Sequence, residues 1–302
     1  MNRFRSMSRK AQLLWGIAVV YVLGLIFFIA VWGVHGHKNE TYKVIDAYKL
    51  ETWFKIGPIS FNKGVLYLLM ATVLTIVTML WVARQMKRRP SRTQVAVEWM
   101  YDLTRSMTRE NMSEELAQRW FPLIFTLFVF IGFSNLIGYI PLPIDTSEPI
   151  NILGVEVPAF QIYAAVTNVA VPFVLALVVW ISFNVEGVRH HGFMGYIKSL
   201  IPAGVKGPML LLMYPLELVS NLLRLLSLTI RLWANLLAGH LLIDFMAGTL
   251  AVLLGLEVLG WFTLPIAVII FLFEAVLIAG LQAFIFAILA AIYLGGATSQ
   301  SH

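Results

Sequence analysis

Long unbroken apolar runs, parted by short charged segments, set the plan of this chain. Ala11–Trp32, Gly64–Ala83, Trp120–Leu142 and Phe160–Phe183 each approach the roughly 20 apolar residues that cross a bilayer as a helix. Two later runs, from Met209 to about Met246 and from about Phe262 to Tyr293, exceed one perpendicular crossing and predict tilt or a kink. A membrane β-barrel shows short alternating segments instead, so the pattern predicts an all-α, polytopic helical membrane protein with about six transmembrane helices. Thr93–Arg119 differs from these runs. There Val95, Val97, Trp99, Met100, Leu103, Met107 and Met112 interleave with Glu98, Asp102, Arg105, Arg109 and Glu110, the pattern of an amphipathic helix lying on a membrane surface. No internal repeat or soluble domain stands out, and residues 1–302 read as a single integral membrane domain. Within it, 1–35 form an N-terminal anchor span, 64–119 the second span and surface helix, 120–184 a helical hairpin, and 208–295 a long tilted hairpin.

Charge orients these spans. Arg84, Lys87, Arg88, Arg89 and Arg92 form the densest basic cluster, and Arg3, Arg5, Arg9 and Lys10 precede the first run. The positive-inside rule puts both on the cytoplasmic side. The segment Pro143–Pro158 carries Asp145, Glu148 and Glu156 without Lys or Arg, as an external loop does. Both termini are then expected in the cytoplasm. The first run is longer than a signal-peptide core of about 7–15 residues and lacks a small-residue cleavage site, so it is expected to be retained. The basic N-terminus and the lack of a targeting peptide point to a bacterial plasma (inner) membrane.

Composition narrows the chemistry. Only 13% of the 302 residues are charged and 59% are hydrophobic, against about 25% charged in soluble domains. The net charge of +6 comes from Lys and Arg beside apolar runs, a topology signal rather than a nucleic-acid surface. There is no cysteine, which excludes disulfides and thiolate chemistry. No phosphate loop is present, and no cofactor is implied.

The polar residues that remain concentrate in the last third. Tyr214–His240 reads YPLELVSNLLRLLSLTIRLWANLLAGH, and steps of three and four bring Glu217, Asn221, Arg224, Ser227 or Leu228, Arg231 and Asn235 along one helical face. A charge at the bilayer centre costs roughly 2.5–3.5 kcal/mol on insertion scales, so intramembrane arginines need a partner or a water-filled cavity. Arg224 lies near the cytoplasmic end and can snorkel. Arg231 lies well inside and keeps its charge at any reachable pH. In the last span Glu274 and Gln282 stand eight residues apart and can approach one face. Glu274 is a candidate proton relay, because a carboxyl in apolar surroundings exchanges protons near neutral pH. His240 is a second candidate. Gln282 does not titrate and can only orient water or a neighbour.

With these residues in view, the chain resembles subunit a of the rotary F-type ATP synthases. SLTIRLWANLLAGH, ending at His240, looks like that family's signature, LQAFIFAILAAIYL from Leu281 to Leu294 like its last helix, and FSNLIGYIP from Phe133 to Pro141 like its earlier hairpin. The resemblance covers about Trp120 to Tyr293, and the second span and surface helix fit the same plan. It implies a stator that conducts protons past a rotating ring of c subunits through two offset aqueous half-channels, bound to peripheral-stalk b subunits and the rest of the synthase, and not catalytic by itself. Arg231 then matches the essential Arg facing the ring carboxylate. Asn235 matches the Asn that follows it, His240 a position held by Glu or His, Glu217 a carboxylate of the cytoplasmic half-channel, Gln282 the Gln near the Arg, and Asn135 a polar hairpin position. The chain departs from the pattern at Glu274, one residue further from the Gln than its counterpart. It departs also at Gly138, where some members carry Asp, at Thr167-Asn168, where Asp-x-Asn is common, and in its added first span.

An ion-coupled secondary transporter is the alternative. Such proteins show inverted repeats and paired broken helices, and here the polar groups are confined mostly to two helices. An intramembrane enzyme built on His190-His191 lacks both an HExxH pattern and a nucleophile.

Overall fold

The computed structural model describes residues 9–32, 48–50, 52–57, 59–85, 91–152, 155–199, 209–249, 253–254 and 256–298. Its helices are α1 (Arg9–Trp32), α2 (Lys63–Gln85), α3 (Arg92–Asn111), α4 (Glu114–Gly138), α5 (Ala170–His191), α6 (Phe193–Ser199), α7 (Met209–Asp244), α8 (Glu257–Phe273) and α9 (Ala279–Thr298). A π-turn, Phe245–Thr249, extends α7, and another, Glu274–Ile278, joins α8 to α9. Among the described residues five segments are long and apolar enough to cross a membrane: Lys63–Trp81, Glu114–Gly138, Ala170–His191, Leu211–Ala247 and Val258–Thr298. The last two are the longest, as the two extended apolar runs require. The remaining expected crossing falls on α1, a 24-residue helix.

The connections hold two antiparallel hairpins that helical periodicity does not reveal. Strands β1 (Phe54–Ile56) and β2 (Ile59–Phe61) pair Phe54 with Phe61, and Gly57 takes φ 60° between them, a left-handed conformation that favours glycine. Strands β3 (Leu142–Ile152) and β4 (Val155–Gln161) pair across the segment expected as an external loop. This changes the fourth expected span: Phe160 and Gln161 finish β4, and the helix begins only at Ala170. Asn168 Oδ1 accepts from the Ala170 N–H at 3.0 Å, and Pro172 fits a first turn where a missing N–H costs nothing.

The expected surface helix also ends early. Ser91 caps α3 by accepting from the Gln94 N–H at 3.3 Å. Met112 (φ −141°) and Ser113 (ψ 153°) are extended, so α3 stops at Asn111 and Arg119 belongs to α4. Glu114 and Glu115 occupy the first turn of α4, where carboxylates meet the positive end of the helix dipole.

The Cα trace divides into two compact units, 48–240 with 273–302, and 1–47 with 241–272. In the larger unit α9 is the central helix. It buries Ala279, Ala283, Phe286, Ala287, Ala290, Ala291 and Leu294. A Cβ placed on Gly132 of α4 would sit 3.8 Å from the Ala283 Cβ, so α4 and α9 approach closely through small residues. In lipid this packing, rather than release of water, holds helices together. Tyr67, Ala71, Ile137, Tyr163 and Ala165 form a second buried cluster in this unit. There Tyr67 donates to the Ile140 carbonyl at 3.0 Å, and buried Lys63 donates to Gln161 Oε1 at 2.9 Å. In the smaller unit the rings of Tyr21 and Trp261 lie 6.1 Å apart.

Candidate functional site

The strip that spacing alone placed on one face of α7 divides into two. Asn221, Leu225, Leu228, Leu232, Leu236 and His240 are buried, a stripe at steps of three and four turned into the bundle. Ser227, Arg231 and Asn235 follow one another at steps of four on the exposed side, beside exposed Leu226 and Ile230. The reason lies in angle: at about 100° per residue Asn221 and Arg231, ten residues apart, differ by about 80° in facing, so they stand at opposite edges of the strip, one turned into the bundle and the other outward.

Arg231 is therefore an exposed cation on an apolar helix face. Among the described residues no acceptor meets its guanidinium. Gln282 is buried and reaches α7 at this level, but its Nε2 donates at 3.2 Å to the Arg231 carbonyl oxygen and not to the side chain. Arg224 is held differently. It lies 3.7 Å from Glu217 and places its guanidinium 5.7 Å from the Tyr293 ring centre. Two oppositely charged groups thus shield each other near one end of α7, while Arg231, in its middle, has no such counter-charge among the described residues.

Asn221 belongs to a polar chain that sequence spacing does not reveal. Its Nδ2 donates to Asn184 Oδ1 at 3.0 Å, Tyr196 donates to the same oxygen at 2.8 Å, and Trp180 donates to the Asn221 carbonyl at 3.2 Å. Burial pushes the Tyr196 hydroxyl's pKa up, and it stays a donor.

A second polar group gathers further along α7. His240 is 1% exposed, and neither ring nitrogen has a hydrogen-bond partner among the described residues. Its ring stacks on Tyr139, centroids 4.8 Å apart at 15°. The Tyr139 hydroxyl donates to Glu274 Oε2 at 3.3 Å. The Glu274 carboxylate rests on Gly239, where a Cβ would come within 2.5 Å of its Cδ. Asn135, fully buried on α4, donates to the Ala279 carbonyl at 3.2 Å and leaves its own Oδ1 without a partner. Buried orphan acceptors and donors of this kind are places that water fills.

The structure thus brings together Arg231 with Gln282, Glu217 with Arg224, and His240 with Glu274. Ser227 and Asn235 stand on the exposed face with Arg231, and Asn135 ties α4 to α9. Reading the sequence missed Tyr139, although it lies within FSNLIGYIP, because a tyrosine at a helix end reads as an interfacial anchor. It missed Glu186 as well. That carboxylate is 5% exposed and accepts from Arg119 at 2.9 Å and from the Trp120 indole at 3.1 Å. Its position among charged residues at the end of α5 gave no signal of burial.

Residues 65–295 match the family model described as ATP synthase A chain. Curated relatives extend the likeness over most of the chain. A protein named ATP synthase subunit a from Bradyrhizobium diazoefficiens is 34% identical over 267 residues, covering 85% of this chain and 98% of its own. Its namesake from Nocardioides sp. is 35% identical, covering 80% and 83%, and that from Rubrobacter xylanophilus 34% identical, covering 78% and 83%. The chain belongs to the ATP synthase A chain family, as a subunit a, the non-catalytic, proton-conducting stator of the F-type enzyme.

Proposed function

We propose that Arg231 is the fixed charge that separates two half-channels in this stator, and that it faces the carboxylate of a c-ring subunit. One observation carries the reading: an exposed guanidinium without an acceptor among the described residues, in the middle of an apolar helix. An unpaired charge there costs roughly 2.5–3.5 kcal/mol, so it calls for a counter-ion from beyond the described residues. A carboxylate passing on a rotating ring supplies one. The permanent cation then favours the ionised ring site and blocks direct passage of protons from one half-channel to the other. Ser227 and Asn235 share the face that the ring would sweep, and Gln282 fixes the backbone that carries Arg231.

His240 and Glu274, with Asn135 nearby, serve the outer half-channel as relay groups. Glu217, with Arg224 and Asn221, lines the cytoplasmic one. Each proton that crosses yields about 2.3 kcal/mol per 100 mV, so several must pass for each ATP and a multi-site ring is the natural partner. Peripheral-stalk b subunits, the rest of the synthase and membrane lipid complete the surroundings. With α1 as a sixth crossing and α3 on the membrane surface, both termini lie in the cytoplasm of a bacterium, the host membrane being its inner one. All of residues 1–302 then act as one integral membrane domain.

The test is proton flux in vesicles carrying the assembled complex, with Arg231→Ala against wild type. ATP-driven pumping is expected to disappear while passive conduction through the membrane sector persists or rises. Pumping at near normal rate would remove Arg231 from the mechanism.

A further inference from the structure

The His240–Glu274 pair has a third member. Tyr139 touches both: its ring lies against the imidazole, and its hydroxyl donates to the carboxylate. The hydroxyl is the bond that fixes where the Glu274 oxygens point, since the π-turn starting at Glu274 leaves this carboxylate at a break in the regular helix. On its other side the carboxylate meets the bare Cα of Gly239, adjacent to His240 in the chain. The ring provides a flat wall that holds the imidazole at one orientation, because stacked aromatic surfaces resist tipping. Both nitrogens of His240 stay available, and at 1% exposure they are accessible only to water drawn into the bundle.

We infer that Tyr139 is the positioning residue of the outer relay: it holds the Glu274 carboxylate and the His240 imidazole as one unit through which protons pass to the ring. This rests on the reading of His240 and Glu274 as relay groups. Tyr139 itself transfers no proton; its hydroxyl keeps its hydrogen while the carboxylate loads and unloads. Its two functions are separable by substitution, since Tyr139→Phe removes the hydrogen bond and keeps the ring, whereas Tyr139→Leu removes both.

The experiment measures ATP-driven pumping against pH in vesicles, per assembled complex, for Tyr139→Phe, Tyr139→Leu, Glu274→Ala, His240→Ala and the double variant Tyr139→Phe/Glu274→Ala. Loss of a hydrogen bond to a charged group predicts a fall of about tenfold in Tyr139→Phe, with its pH profile displaced from wild type. Tyr139→Leu is expected to be slower still. In the Glu274→Ala background Tyr139→Phe is expected to add nothing, because the acceptor is gone; a purely structural tyrosine would slow both backgrounds alike. Wild-type rates and profile in Tyr139→Phe, with Glu274→Ala and His240→Ala both defective, would overturn the role of Tyr139 and leave the relay standing. Normal pumping in Glu274→Ala and His240→Ala would overturn the relay itself. Should Tyr139→Leu reduce the amount of assembled complex, the comparison of Tyr139→Phe in the two backgrounds still decides.

Discussion

Two glycines allow the packing of the site to be separated from its chemistry. A methyl group on Gly138 would meet Ala164, overlapping its Cβ and coming within 2.9 Å of its Cα. Backbone must move to make room, and overpacking of that kind costs about 1–3 kcal/mol, occasionally more. A methyl group on Gly239 would meet Glu274 Cδ at 2.5 Å and Oε1 at 2.7 Å. That neighbour is the end of a flexible side chain, so the carboxylate swings away and the backbone stays. Replacing Gly by Ala within a helix also gains roughly 0.8–1 kcal/mol of propensity, so Gly239→Ala is expected to leave stability near wild type. Its cost falls on function. The displaced carboxylate loses the Tyr139 hydroxyl, a bond worth about 1.5–3 kcal/mol when the acceptor is charged, and tenfold in rate corresponds to about 1.4 kcal/mol. Pumping per complex is therefore expected to fall at least tenfold in Gly239→Ala with assembly intact. Gly138→Ala is expected to lower the yield of assembled complex or its melting temperature. Solubilised complex quantified on a native gel, paired with vesicle pumping, reads both. Gly239→Ala pumping within twofold of wild type, or Gly138→Ala assembling with unchanged thermal stability, would refute the contact reasoning at that glycine.

Two further outcomes follow from the same contacts. Glu186→Gln keeps an acceptor for the Trp120 indole but loses the charge facing Arg119, whose side chain is 54% exposed; discounted for solvent screening, the loss is about 1 kcal/mol, seen as a slightly lower melting temperature of the solubilised complex with pumping per complex unchanged. Deletion of Val276, 77% exposed within the Glu274–Ile278 π-turn, is expected to convert that turn to regular α-helix and to leave pumping within a few-fold of wild type, whereas deletion of Ile285 in regular α9 is expected to abolish it.

The helical part of the architecture was legible because a bilayer leaves so few options. Backbone groups inside hydrocarbon must be satisfied within the segment, so an apolar run of sufficient length is a helix, and α2, α4, α5 and the two C-terminal segments appear where such runs stand. The boundaries failed where that constraint ends. Phe160 opens the fourth apolar run, yet Phe160 and Gln161 pair in β4, because outside hydrocarbon the chain can satisfy its backbone across a hairpin. The division of the α7 strip failed for a related reason. Periodicity groups Asn221 with Arg231, but only the position of α5, whose Trp180 and Asn184 reach Asn221, decides which polar residue faces inward.

The one-residue departure at Glu274 was visible in the sequence, and its resolution was not. Successive residues of an α-helix turn by about 100°, so Glu274 and Gln282, eight apart, would differ by about 80° in facing, against about 20° for seven. On that arithmetic, if Gln282 meets Arg231, Glu274 turns away from the neighbours of His240. The π-turn spanning Glu274–Ile278 absorbs one extra residue, as π-bulges do. Gln282 consequently reaches the Arg231 carbonyl while Glu274 reaches Tyr139 and Gly239. A π-turn has no strong sequence signature: Glu-Ala-Val-Leu-Ile is compatible with an unbroken α-helix. What selects it is the packing on either side of the turn, with Gln282 and Ala283 anchored below and the carboxylate lodged against bare glycine above. The extra residue is thus accommodated locally, and the two polar contacts on which the proposed pathway depends are kept together.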